Sequence, residues 1–175
     1  MEFSGKKVTV VGTGISGIGA VGLLNAVGAE VVLYDGNEKL KIEDIEKKLG
    51  TYKAEIVLGE LTKELTDSSD LLVISPGVPI DSPVVKAFEA AGVPVWGEVE
   101  LAYAFDKGKV LAITGTNGKT TTTALVGQIV GAYHKDTFVV GNIGNPYTTE
   151  VLKSNKDSYT VAEISSFQLE TVHEF

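Results

Sequence analysis

Two glycine loops constrain this 175-residue chain more than any other feature, because each lies between a β-branched run and a helix-forming segment. Val8-Thr9-Val10-Val11 ends at Gly12, and a small, apolar stretch from Ile15 to Val27 follows, with Gly28 as its stop. Val110 to Thr114 ends at Gly115, and a second helical stretch runs from Lys119 to Ala132, with Leu125, Val126, Ile129 and Val130 on its apolar side. A strand that turns through glycine into a helix returns by a right-handed crossover to a parallel neighbour. Further strands are predicted at Glu30–Tyr34, Glu55–Leu58, Leu71–Ile74 and Val93–Trp96. Between them come an amphipathic helix with Ile42, Ile45 and Leu49 on one face, and a helix to about Ala91 capped by Asp81 and Ser82 with Pro83 in its first turn. Glu98–Phe105 reads as another helix. The polar run Asp106-Lys107-Gly108-Lys109 then opens a second unit, with later strands at Thr137–Val140 and Tyr159–Ile164. The expected fold is α/β: a Rossmann-like parallel-sheet domain over residues 1–97, followed by the start of a P-loop α/β unit over residues 98–175.

Composition removes several classes. Hydrophobic residues at 43% and charged residues at 22% fit a globular chain rather than a disordered one. The absence of cysteine excludes disulfides, thiolate zinc sites and thiol nucleophiles. A net charge of −8 argues against sequence-independent nucleic-acid binding and against docking on anionic lipid. No stretch of about 18 apolar residues is present, so no transmembrane helix is expected. The expectation is a cytoplasmic monomer that binds neither nucleic acid nor membrane.

Gly12-Thr13-Gly14-Ile15-Ser16-Gly17 matches G-x-G-x-x-G in the context that pattern requires. Its glycines let a phosphate approach a helix N-terminus, where unpaired N–H groups and the helix dipole favour an anion. Asp35 follows Gly17 by 18 residues, at the end of the second predicted strand, where a ribose-binding carboxylate would stand. An NAD-dependent oxidoreductase is one reading. Another nucleotide is equally compatible, since the glycines recognise phosphate and not nicotinamide.

The second loop, Gly115-Thr116-Asn117-Gly118-Lys119-Thr120, is more specific. Backbone N–H groups would cradle a β-phosphate, Lys119 would reach the β/γ oxygens, and the Thr120 hydroxyl would bind Mg²⁺. The full G-x-x-x-x-G-K-[ST] pattern is not met, because its first glycine would fall at Ile113. Two phosphate loops in one chain point to a nucleotide-linked substrate on one unit and ATP on the other. A lone P-loop regulator would leave the first 105 residues without a role.

Thr114-Gly115-Thr116-Asn117-Gly118-Lys119-Thr120-Thr121 resembles the ATP loop of the Mur ligases, the ATP-dependent amide ligases of peptidoglycan precursor synthesis. Gly141-Asn142-Ile143-Gly144-Asn145-Pro146 and Glu163-Ile164-Ser165-Ser166-Phe167-Gln168, behind the N-terminal glycine motif, resemble the D-glutamate-adding branch of that family. The resemblance implies a substrate, UDP-N-acetylmuramoyl-L-alanine, with Gly14, Ile15 and Ser16 against its diphosphate. It implies Asp35, Gly36 and the turn Ser75-Pro76-Gly77 beside uracil and ribose, Asn142 near the diphosphate or sugar, and Ser165 and Gln168 near the muramoyl part. ATP and Mg²⁺ are the implied cofactors: Gly115 to Thr121 for ATP, Thr120 and Glu163 as metal ligands, and Lys119 with Glu163 as the catalytic pair. The implied reaction makes an acyl phosphate that D-glutamate attacks. Because the family's central domain continues beyond the Glu163 motif, the chain is expected to be a fragment. It would then bind UDP-linked substrate without forming the amide, since the D-glutamate site lies elsewhere.

Overall fold

The computed structural model describes residues 2–175. The first unit contains β1 (Lys7–Val11), α1 (Ile15–Ala26), β2 (Glu30–Asp35), α2 (Ile42–Leu49), β3 (Glu55–Leu58), α3 (Lys63–Ser68), β4 (Leu71–Ile74), α4 (Pro83–Ala90) and β5 (Val95–Gly97). It is followed by α5 (Glu98–Tyr103), β6 (Lys109–Ile113), α6 (Lys119–Tyr133), β7 (Thr137–Gly141), α7 (Tyr147–Glu150), a 3-10 turn at Val151–Lys153, β8 (Tyr159–Glu163) and α8 (Ser166–Leu169). Five strands form one sheet in the order β3-β2-β1-β4-β5, and three form a second in the order β6-β8-β7. Every pairing is parallel.

These orders place the functional loops. After β1 the chain moves outward to β2 and β3, then crosses back to β4 on the other side of β1. The crevice where the direction reverses lies beyond the C-terminal ends of β1 and β4, where open α/β sheets bind ligands. The loops leaving those ends begin with Gly12 and Ser75. In the second sheet β8 enters between β6 and β7, so the loops after β6 and β8 open at a like crevice.

One apolar core runs through both sheets. Val8, Val10, Leu23, Leu24 and Leu33 belong to it from the first unit, and Val140, Tyr147, Val151, Ala162 and Ile164 from the second. Helix α5 bridges them with Val99, Leu101 and Ala102, all buried. A smaller layer on the opposite face of the first sheet packs Val11, Val32, Leu72 and Ile74 against Val85 and Phe88 of α4. Helix α7 lies on α1, and Gly19 permits that approach, since a Cβ there would stand 2.7 Å from the Thr148 hydroxyl oxygen.

Polar groups fix the seam. The fully buried Tyr147 donates its hydroxyl to Asp106 Oδ2 at 2.6 Å, and Thr160 donates to the same oxygen at 2.7 Å. Glu98 Oε1 accepts from both the backbone N–H and the hydroxyl of Thr148, each at 3.0 Å. Burial raises the Glu98 carboxyl above its ordinary 4.5, outweighing those hydrogen bonds, which pull it down.

The expected strands are all present, while five helical details differ. Helix α3 was not among the expected elements; Thr62 starts it by accepting from the Leu65 N–H at 3.3 Å. Helices α7 and α8 were likewise absent from the sequence reading. Ser82 occupies the N-cap of α4, but its hydroxyl makes no cap bond and finds no partner among the described residues. On α6 the expected apolar side does not set the packing: Thr123 and Gly127 face inward, while Leu125 and Ile129 are over half exposed. Gly127 decides this, because its missing side chain admits Val139 of β7.

The raised Glu98 carboxyl makes stability depend on pH. The folded chain keeps a proton there that the unfolded chain releases near 4.5, so this contribution is fullest below 4.5 and declines as pH rises. Replacing Glu98 by Gln removes the titration. The melting temperature of Glu98→Gln relative to the native chain should therefore climb between pH 4.5 and neutrality; a constant difference across that range would contradict the assignment.

Candidate functional site

The first glycine loop is shaped by close backbone approach. A Cβ on Gly17 would run into the Gly12 carbonyl, so only glycine lets the first turn of α1 fold back onto the strand end. Gly14 caps α1 with extended backbone and no side-chain hydrogen bond, leaving the first-turn N–H groups free for an anion. Asp35 turns toward this loop. Its Oδ2 accepts from the Thr13 N–H at 3.3 Å and the Thr13 hydroxyl at 3.0 Å, and its Oδ1 accepts from the Asn37 N–H at 3.1 Å. The carboxylate thus braces the loop from the end of β2.

A cleft of about 520 Å³ opens in front of the loop. Gly14, Ile15 and Ser16 form one wall, Ser75, Pro76 and Gly77 a second, and Gly141, Asn142, Gly144 and Pro146 a third. Ile15 is 79% exposed at its mouth. The Ser75 hydroxyl is buried and lacks a partner among the described residues. A further cleft of about 530 Å³ continues from the Ser75–Gly77 turn to Phe167, Gln168 and Thr171. The fold therefore gathers Gly14, Ile15, Ser16, Ser75, Pro76, Gly77 and Asn142 around one opening, with Gln168 on its extension. Asp35 and Gly36 stand at the neighbouring strand end, outside the lining of both clefts. Ser165 and Gln168 satisfy each other: Ser165 Oγ accepts from the Gln168 N–H at 3.3 Å, and Gln168 Oε1 accepts from the Ser165 N–H at 2.9 Å. This reciprocal pair is a capping box that starts α8.

The second loop stands at the end of β6. Gly115 through Gly118 are exposed, as are Thr120 and Thr121 at the start of the 15-residue helix α6. Lys119 folds back and donates its ammonium to the Gly115 carbonyl at 2.7 Å. Glu163 ends β8, paired with Ile113 on one side and Gly141 on the other. Gly141 has φ +101°, and a Cβ there would collide with the Glu163 backbone. The Asn142 N–H is donated to the Glu163 carbonyl at 3.0 Å, so the strand bearing Glu163 also anchors the Asn142 loop. Glu163 is 5% exposed, and its Oε2 has no partner among the described residues. A buried carboxylate oxygen without a donor is costly unless a cation meets it. It fits a hard divalent ion that takes few protein oxygens and fills its shell with phosphate and water. No group of three or more His, Cys, Asp or Glu residues able to hold a metal is found among the described residues.

Glu98 and Glu100 are the site-adjacent residues that the sequence reading missed. Both are buried at the start of α5, and a helix beginning with two glutamates reads from sequence as favourable charge at an N-terminus.

Glycine loops at the carboxyl edges of two parallel sheets define an α/β protein of the class that presents its ligand sites at strand ends. Residues 6–97 match the Mur ligase MurD-like N-terminal domain, and residues 113–175 match the Mur ligase middle domain. The chain belongs to the Mur ligase family. It is 70% identical over its whole length to a UDP-N-acetylmuramoylalanine–D-glutamate ligase of Lachnospira eligens, and 57% identical to the ligase of that name from Lachnoclostridium phytofermentans. It spans 39% of the length of each. Among solved structures, a UDP-N-acetylmuramate:L-alanyl-gamma-D-glutamyl-meso-diaminopimelate ligase from Neisseria meningitides shares the fold, with TM-score 0.55 and 20% identity over 91% of this chain and 52% of that one. A pseudomurein peptide ligase type C from Methanothermus fervidus gives TM-score 0.51 at 25% identity, over 92% of this chain and 33% of that one.

The close approach at Gly17 gives a mutational contrast. Gly17→Ala should lower the unfolding free energy by about 1–3 kcal/mol, because overpacking forces the backbone apart. Gly14→Ala should be near neutral in stability, since a Cβ there meets nothing within 4 Å and φ is −79°. Urea denaturation of both variants measures the difference.

Proposed function

We propose that this chain is the substrate-binding and ATP-loop portion of the ligase that joins D-glutamate to UDP-N-acetylmuramoyl-L-alanine through an acyl phosphate, in peptidoglycan precursor synthesis. Residues 1–97 form the UDP-binding domain, and residues 98–175 the ATP-binding part. The amide-forming activity belongs to the longer enzyme, of which the curated relatives are the pattern. What carries the reading is the buried Glu163 carboxylate, with one oxygen unpartnered, beside the strand that feeds the Gly115 loop.

In this reading the free N–H groups at the start of α1 receive the diphosphate, with Ser16 and Asn142 on either side. The Ser75–Gly77 turn, with Asp35 and Gly36 at the next strand end, borders the nucleoside. Ser165 and Gln168 shape the muramoyl end. The Gly115–Gly118 backbone and the hydroxyls of Thr116, Thr120 and Thr121 receive ATP, and Asn117 completes the loop. Thr120 and Glu163 hold Mg²⁺, which when bound neutralises charge as the substrate carboxylate meets the γ-phosphoryl group. Lys119 leaves the Gly115 carbonyl and places its ammonium on phosphate oxygen. A carboxylate approaching a phosphoryl group is an anion meeting an anion, so fixed positive charge is what the chain must supply. No helix among the described residues is long and apolar enough to cross a membrane. We propose that the enzyme works in the cytoplasm as a monomer.

The oxidoreductase reading is disfavoured by the Mur ligase domain matches over residues 6–97 and 113–175, which account for both glycine loops.

The test is a separate titration of the chain with UDP-N-acetylmuramoyl-L-alanine, UDP, ATP and NADH, followed by the fluorescence of Trp96, which packs against Phe3 at 6.0 Å between ring centres. Saturation by both uridine ligands without an NADH response is expected. Lys119→Ala should weaken ATP binding by at least tenfold, a loss of about 1.4 kcal/mol, and leave UDP binding intact. An NADH response with none to UDP would reverse the assignment.

A further inference from the structure

Helix α5 begins with two buried carboxylates that have no cationic partner within the described ion pairs. Glu98 and Glu100 are 4% and 1% exposed. Each is satisfied instead by donors from the segments that follow the two cleft loops of the second sheet. Glu98 takes the N–H and hydroxyl of Thr148, six residues after Asn142. Glu100 Oε2 takes the N–H groups of His173 at 2.8 Å and Phe175 at 3.3 Å, and its Oε1 takes that of Glu174 at 3.0 Å. That triplet begins five residues after Gln168.

Two buried carboxylates are a costly way to hold a helix, because apolar residues of similar size stabilise as well or better. Directional acceptors differ from apolar contacts in fixing register: a two-bond clamp on Thr148 allows one placement of that backbone, where packing tolerates sliding. The backbone so fixed runs directly on from the third wall of the 520 Å³ cleft, which ends at Pro146, and from the far end of its 530 Å³ extension, which ends at Thr171. The other walls come from the first sheet, to whose last strand α5 is directly joined. Gly97 tightens the joint, since its missing Cβ admits the Thr171 side chain.

We propose that Glu98 and Glu100 are positioning residues that set the Asn142 loop and the Gln168 turn against the Ser75–Gly77 turn, so that the cleft closes to the width of a nucleoside diphosphate. This rests on reading the cleft as the UDP site. Glu98 lines the extension of the cleft beside Gln168, and it acts on the Asn142 wall through Thr148.

Calorimetric titration of the 175-residue chain with UDP tests the proposal, with ATP as a second ligand and thermal melting in parallel. Glu98→Ala should raise the UDP dissociation constant about fivefold or more, the size of a typical coupling between linked sites, and leave the ATP constant unchanged. Glu98→Gln keeps an acceptor oxygen for Thr148 and should bring UDP affinity back to near the native value. Thr148→Val should weaken UDP in the same direction, and the double variant should be no weaker than Glu98→Ala alone, because both remove one contact. Glu100→Ala should also weaken UDP. Should Glu98→Ala fail to fold, Thr148→Val reports on the same contact. If the variants melt earlier yet bind UDP as the native chain does, the residues are structural and the proposal is overturned while the UDP reading stands. If Thr148→Val binds normally while Glu98→Ala does not, Glu98 meets the ligand itself and the positioning role is overturned. A native chain that gives no heat with UDP overturns the UDP reading, and the proposal with it.

Discussion

Parallel pairing is the constraint on which the remainder depends. Because every ladder in both sheets runs the same way, each strand ends at the same edge as its neighbours. The loops after β1, β2 and β4 therefore share one rim, and those after β6, β7 and β8 another. Ser16 and Ser75, far apart in sequence, meet through strand order alone, and the joint between the sheets brings Asn142 to them. The same pairing forbids short hairpins, so each return must be made by a crossover whose helices then cover the sheet. Core and binding rim are two results of one hydrogen-bond direction.

Joining the sheets was a separate problem, solved by α5. Its apolar side merges two cores into one, and its glutamates and the neighbouring Asp106 supply acceptors to Thr148, Tyr147 and Thr160. Apolar burial holds the units together, and polar bonds decide how they register. The cleft between them inherits its shape from this joint.

The strands and the glycine loops that follow them were legible because they depend on local signals: β-branched runs, and glycines where the backbone turns or approaches itself closely. Gly12-to-Gly17 announces itself by close approach, and Gly115-to-Thr120 by glycines at positive φ, +145° and +76°. Helices α7 and α3 escaped notice because each is short and held by contacts outside itself, α7 by Glu98 and Asp106, which are distant in sequence. Helix α8 could have been found, since Ser165 and Gln168 spell a capping box at the right spacing. The orientation of α6 was misread for a different reason. Periodicity marks the apolar side of a helix, but the close approach of Val139 selects the side bearing Gly127. The role of Glu163 was suggested by resemblance, and only burial reveals that one of its oxygens is left without a donor.

The resting position of Lys119 has a consequence for how the second loop meets its ligand. An ammonium waiting on the Gly115 carbonyl is already stripped of part of its water and already held by an oxygen. In the proposed reading, a phosphate arriving here would exchange one oxygen partner for another rather than force a fresh desolvation. The same exchange would free the Gly115 carbonyl. The Lys119 ammonium is thus held but surrenderable, and a doubly charged oxyanion would win it from the neutral carbonyl.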